Sequence, residues 1–214
     1  MSTSLNSSKP RHRWVLYAAL AAALILALVY AELFMWNSVD DTYIFLRYAD
    51  NWLSGHGPVY NPGERVEGYT SPLWLLLLTG LTGLGLPGPV AVKLLSGASG
   101  IATLILIWLL ARRLLGDSGG GSRAAPLAVT AAALSGTFAF WLLAGAMEIT
   151  LLTALLSGAW YLLTGRPDAD DETRRRELGL SGAVVGLALL TRPAAALFAL
   201  AARIQVLTDK NRLS

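Results

Sequence analysis

The residues best placed for chemistry sit together near the start of the chain. "DDTYIFLRYADNWLSGHGPVYNPGERVEGYTSPLW" runs from Asp40 to Trp74 and opens on two adjacent carboxylates, Asp40 and Asp41. A carboxylate at a water–lipid boundary can serve as a general base. Asp is equally a favoured helix N-cap, and helical periodicity starts at this point. One Asp satisfies the cap and the second is surplus, so the residues alone leave both readings open. Glu148 is a lone acid inside "FWLLAGAMEITLLTALL". An acid in such surroundings is a functional candidate by default, although a cap or an interfacial role also suits it. Arg192 in "LLTRPAA" either snorkels beside a proline break or pairs with a phosphate or carboxylate. Arg47, Arg65 and His56 share that ambiguity, and Lys93 reads as interfacial. Carboxylates that converge can hold Mg²⁺, Mn²⁺ or Ca²⁺, with Asp40 and Glu148 the candidate ligands.

The elements that must position these groups are apolar. The chain is 54% hydrophobic and 14% charged, against roughly a quarter charged in soluble domains. Apolar runs recur at approximately 14–36, 72–87, 90–111, 125–146, 148–164, 178–191 and 193–207. The pattern predicts an all-α integral membrane protein, and alternating strands of a barrel are missing. There are no cysteines, so thiol chemistry is excluded. Two His and no His/Cys cluster argue against zinc. The net charge of +3 is no sign of nucleic-acid binding, because the basic residues lie between apolar runs, where they set orientation.

Orientation follows from Lys and Arg. Lys9, Arg11 and Arg13 place residues 1–13 in the cytoplasm, before a retained anchor at 14–36. Arg112, Arg113 and Arg123 make loop 112–124 cytoplasmic, and Arg166 with Arg174–Arg176 does the same for loop 165–177. These assignments agree only if 72–87 does not cross. About 16 residues with several Gly suit a short helix dipping in from outside. The transmembrane module then occupies 14–207, with an external loop at 37–90 and a cytoplasmic tail at 208–214. Glu148 and Arg192 fall on the external side with Asp40 and Asp41. Within the loop, Ile44, Phe45, Tyr48, Ala49, Trp52 and Leu53 share one helical face over 42–53, which predicts an amphipathic helix on the membrane surface. Trp36, Trp52, Tyr69 and Trp74 suit an interfacial aromatic belt.

The loop motif closely resembles the first external loop of bacterial GT-C glycosyltransferases that use polyprenyl-phosphate sugars, nearest to the mycobacterial terminal β-(1→2) arabinofuranosyltransferase type. The shared pattern is DD-x-Y-I, then R-Y-A, then V-Y-N-P-G-E-x-V-E-G-Y-T-S-P-L-W. "GAMEITLLTALL" and "ALLTRPAAALFALA" resemble two later family segments in the same order. Ala194 stands where the family often has Glu, and Ile149 separates Glu148 from Thr150. The resemblance implies a GT-C-like helix bundle with juxtamembrane helices in the first external loop. It also implies Asp40 as general base with Asp41 beside it, Glu148 as the second-loop acid, and Arg47, Tyr48, Arg65, Glu67, Tyr69 and Arg192 on the substrate. The expected function is transfer of a sugar from a polyprenyl-phosphate donor to a cell-envelope glycan or lipid acceptor, on the external face of the bacterial inner membrane. Family members are usually more than twice this long, so the chain resembles an N-terminal portion, with a second chain as a candidate source of missing helices. A non-catalytic scaffold half and an ion-coupled transporter using Glu148 and Arg192 are the competing readings.

Overall fold

The computed structural model describes residues 25, 29, 39–64, 66–115, 121–135, 147–165 and 169–212. The anchor expected at 14–36 and the candidate residue Arg65 therefore lie outside the described residues, Ile25 and Val29 apart. Among the described residues every regular element is helical.

Helix α1 spans Asp40–Leu53. Its N-cap is Val39 in an extended conformation, so neither Asp caps the helix; both occupy the first turn, where the positive end of the helix dipole favours them. Gly55, at φ 85°, turns the chain away from the helix end. Helix α2, Pro72–Gly83, starts on Ser71 with Pro72 at the position where a missing N–H costs nothing. Its 12 residues reach about 18 Å, short of a hydrocarbon core of about 30 Å. Helix α3, Gly88–Leu115, has 28 residues and an apolar window of mean hydropathy 2.1, long and apolar enough to cross a membrane. Helices α4, Gly121–Leu134, α5, Glu148–Thr164, α6, Asp171–Thr191, and α7, Ala195–Arg212, follow.

Side-chain pairs fix how these helices run. Ser96 and Thr150 hydroxyls meet at 3.1 Å near the starts of α3 and α5, and Arg113 donates to the Tyr161 carbonyl at 2.6 Å near their ends. The two helices are therefore parallel. Ser181 donates to the Ala159 carbonyl, while Glu148 meets Arg192, so α5 and α6 are antiparallel. The buried face of α3 carries Ser96, Ser99, Gly100 and Thr103, small residues that let helices approach closely. Ile101, Ile105 and Trp108 of the same helix are exposed, as are Leu187 and Leu190 of α6 and Leu197, Leu200 and Ile204 of α7. This broad apolar exterior suits contact with lipid.

The starts of α3 and α5 and the α6–α7 turn share one end. There a core forms from Phe45, Leu46, Tyr48 and Ala49 of α1, Trp74, Leu75 and Leu78 of α2, Ala91 and Val92 of α3, and Met147. Fully burying a large apolar side chain contributes about 1.5–3 kcal/mol, so this cluster is what holds α1 against the bundle. Arg112 and Arg113 lie at the opposite end of α3, where cations complement the dipole.

Three expectations change. The aromatic belt loses Trp74, which is fully buried in that core. On α1 the face shifts: Phe45, Tyr48, Ala49 and also Asn51 are buried, whereas Trp52 and Leu53 are exposed. The stretch 165–177 is not all loop, because α6 begins at Asp171. Asp170 caps it by accepting from the Thr173 N–H at 2.9 Å, and that hydrogen bond holds its carboxyl below the usual range.

Candidate active site

Asp40 and Asp41 are both exposed on the first turn of α1. Val39, immediately before them, packs against the same core that receives Met147, immediately before Glu148. The residues that precede the first-loop carboxylates and the second acid thus meet at one apolar cluster, although they are more than a hundred residues apart in the chain.

Glu148 is 1% exposed at the start of α5. Its Oε1 accepts from Arg192 Nε at 2.9 Å, while Oε2 is buried with no hydrogen-bond partner. The Arg192 side chain is 42% exposed. Arg192 sits where α6 breaks at Pro193, a residue that cannot continue the backbone hydrogen bonding, so the guanidinium is carried at a helix end. The arrangement is a buried acid that orients a half-exposed cation. Such a cation, with its fork partly free of the acid, can meet an anionic group.

The remaining loop candidates divide by role. Tyr48 is 1% exposed, and its hydroxyl donates to the Val66 carbonyl and accepts from the Gly68 N–H, both at 2.8 Å. A Cβ on Gly68 would lie 2.8 Å from that oxygen, so the close approach needs glycine. The Tyr48 ring meets Tyr69 edge-on at 5.0 Å. Arg47 Nε donates to the Tyr60 carbonyl at 3.2 Å, and Asn51 donates to the carbonyls of Val59 and Tyr60 at 2.8 Å each. Arg47, Tyr48 and Asn51 therefore strap the loop to α1. Glu67 is exposed and Tyr69 half-buried. Burial, with the Glu67 charge and Tyr48 adding to it, raises the Tyr69 phenol above its ordinary value. Among the described residues no group of three or more His, Cys, Asp or Glu is gathered to hold a metal. Asp40 and Glu148 as a pair would leave most positions around a hard cation to water and phosphate oxygens.

Residues 70–214 match the family described as dolichyl-phosphate-mannose-protein mannosyltransferase. The chain belongs to this family. Glu148 and Arg192 fall within the family match, which begins just beyond Tyr69. The chain is also similar to the terminal β-(1→2)-arabinofuranosyltransferase of Mycobacterium tuberculosis, at 32% identity over 199 residues covering 83% of this chain and 30% of the relative. A protein of the same description from Corynebacterium glutamicum is 59% identical over 39 residues, 18% of this chain and 6% of the relative. The chain thus spans less than a third of the length of these curated relatives. No solved structure matches it.

Asn51 is a loop-positioning residue that helical periodicity does not mark. It lies off the face shared by Ile44, Phe45, Tyr48, Ala49, Trp52 and Leu53, yet it is buried, with its amide spent on two loop carbonyls. The turn-rich "SGHGPVYNPGE" that follows was the available signal, because a loop folded back on its helix needs buried donors for its carbonyls.

Proposed function

We propose that this chain forms part of a multi-pass glycosyltransferase of the bacterial inner membrane. In this reading it transfers a sugar from a polyprenyl-phosphate donor to a cell-envelope glycan or lipid acceptor on the external face. The observation that carries the reading is the packing of Met147 into the α1–α2–α3 core, which puts Glu148 and Arg192 at the end of the bundle that bears Asp40 and Asp41. Family membership and the arginines gathered at the opposite end support the outward orientation.

In the mechanism, the acceptor hydroxyl oxygen attacks the anomeric carbon and its proton passes to the Asp40 carboxylate. The bond from that carbon to the phosphate oxygen breaks, and the polyprenyl phosphate leaves with the electron pair. Asp41 is the neighbouring acid of the motif. Arg192, aimed by Glu148, stabilises the charge that grows on the departing phosphate. Tyr48, with Arg47 and Asn51, positions the loop, while Glu67 and Tyr69 remain available to substrate.

The test is transfer from a panel of polyprenyl-phosphate sugars in membranes, comparing the native chain with Asp40→Asn and Asp41→Asn. Loss of the base is expected to slow transfer by about 10²–10⁴-fold in Asp40→Asn while insertion is unchanged. Absence of transfer by the native chain, with and without a second chain supplying further helices, would favour the scaffold reading.

A further inference from the structure

A cleft lies on the loop side of α1 and shares no residue with the Glu148–Arg192 pair. It has a volume of about 450 Å³, and its walls include His56, Pro58, Val66, Glu67 and Tyr69. That volume falls in the range of roughly 300–1,000 Å³ typical of small-molecule clefts. Both rims are tied to α1: the Asn51 amide holds the Val59 and Tyr60 carbonyls, and the Tyr48 hydroxyl holds Val66 and Gly68. A cleft whose walls are already fixed loses little ordering entropy when a ligand enters.

Its chemistry selects against the donor's phosphate. Among the described lining residues there is no Lys or Arg, and Glu67 contributes a negative charge. An anion entering beside Glu67 would be repelled by its carboxylate. A neutral polyhydroxyl group fits instead. Glu67 accepts hydrogen bonds from hydroxyls in the strong, charge-assisted form. The Tyr69 phenol both donates and accepts. Pro58, Val66 and the face of the Tyr69 ring supply an apolar wall for the C–H side of a sugar. Position narrows the choice further. Tyr48, against which Tyr69 packs, lies eight residues along α1 from Asp40, about 12 Å along the helix axis. One sugar ring does not reach that far.

We propose that this cleft is a subsite for a neutral sugar of the acceptor glycan, one or more residues removed from the hydroxyl that reacts. The inference rests on the transferase reading for its role, but its binding test needs no donor and no turnover. The full chain, in detergent, is titrated with arabino- and manno-oligosaccharides of increasing length by saturation-transfer NMR, with geranyl phosphate as the anionic control. Oligosaccharides are expected to bind more tightly than the monosaccharides. Glu67→Gln is expected to weaken them about tenfold or more, the scale of one lost charge-assisted hydrogen bond. Monosaccharide binding in the cleft should weaken in the same direction. His56→Ala, on the other wall, should weaken the same oligosaccharides, and persistent exchange protection of the Gly68 amide would show that the loop is intact. No binding of any sugar, affinities indifferent to both substitutions, or displacement of the sugars by geranyl phosphate would each overturn the subsite. In a transfer assay, an acceptor KM unchanged by Glu67→Gln would overturn it while leaving the transferase standing. Glu67-dependent sugar binding without any transfer would do the reverse.

Discussion

At the scale of single residues, the Glu148–Arg192 pair is asymmetric, and the asymmetry has consequences. Glu148 is buried with one oxygen unsatisfied, whereas Arg192 reaches solvent. Removing the arginine strands a buried charge, which typically costs about 3–5 kcal/mol. Replacing the acid by its neutral isostere removes that charge and leaves Arg192 free to hydrate. Arg192→Ala is therefore expected to lower thermal stability in detergent by a margin of that size, and Glu148→Gln by clearly less. Equal losses would mean that the pair is not held as described. The Tyr69 phenol sets a second expectation. Its folded pKa lies above the ordinary phenol value of 10.0, so the neutral form is favoured by the fold. The stabilisation is fully present below that value and is lost as pH rises through the raised pKa. An alkaline titration of the native chain should show the loop loosening only in that range, and Tyr69→Phe should remove that component of the pH dependence.

The loop from Ser54 to Ser71 and helix α1 behave as one element. Three polar side chains of the helix, at positions 47, 48 and 51, take up loop backbone groups that no regular structure satisfies. Tyr48→Phe keeps the ring against Tyr69 and deletes both hydroxyl bonds. Each such bond contributes about 0.5–1.5 kcal/mol net, so a local loss of about 1–3 kcal/mol is expected. It should be visible as faster amide exchange at Gly68, with the protection of α3 unchanged. Helix α2 shows what an apolar run can become when it is short. It is apolar throughout, but it ends after 12 residues at Leu84 and the left-handed Gly85, and Trp74, Leu75 and Leu78 share one core with α1.

For the whole molecule, α3 and α5 run parallel and α6 runs antiparallel to α5. Positively charged ends then fall together, at Arg112, Arg113 and Arg174–Arg176, opposite the carboxylate-bearing end. The chain has no cysteine, so a single probe reads this cleanly. Leu84 is 83% exposed at the end of α2. Leu84→Cys is expected to react with an impermeant thiol reagent added from outside intact cells. Labelling only after permeabilisation would mean that α2 crosses the membrane and that the proposed outward face is wrong.

Much of this protein is determined by local pattern. Long apolar runs without strand alternation require helices, because backbone groups in lipid must be satisfied within their own segment. The spacing of Ile44, Phe45, Tyr48 and Ala49 announces α1, and the brevity of 72–87 announces a helix too short to span. The chemical types of Asp40, Asp41, Glu148 and Arg192 mark them as candidates without any coordinates. Partnerships across the chain are another matter. Nothing in "GAMEIT" or "LLTRPAA" says that Glu148 spends one oxygen on Arg192, because the pairing depends on α5 and α6 running antiparallel with their ends in register. Nor does the helical pattern of α1 reveal that Asn51 is buried, since a polar residue enters a core only when the fold delivers partners for it. The choice of Val39 over Asp40 as the cap, the removal of Trp74 from the interface and the cleft beside Glu67 and Tyr69 belong to the same class. Each is decided by what lies opposite in space, which sequence distance does not encode.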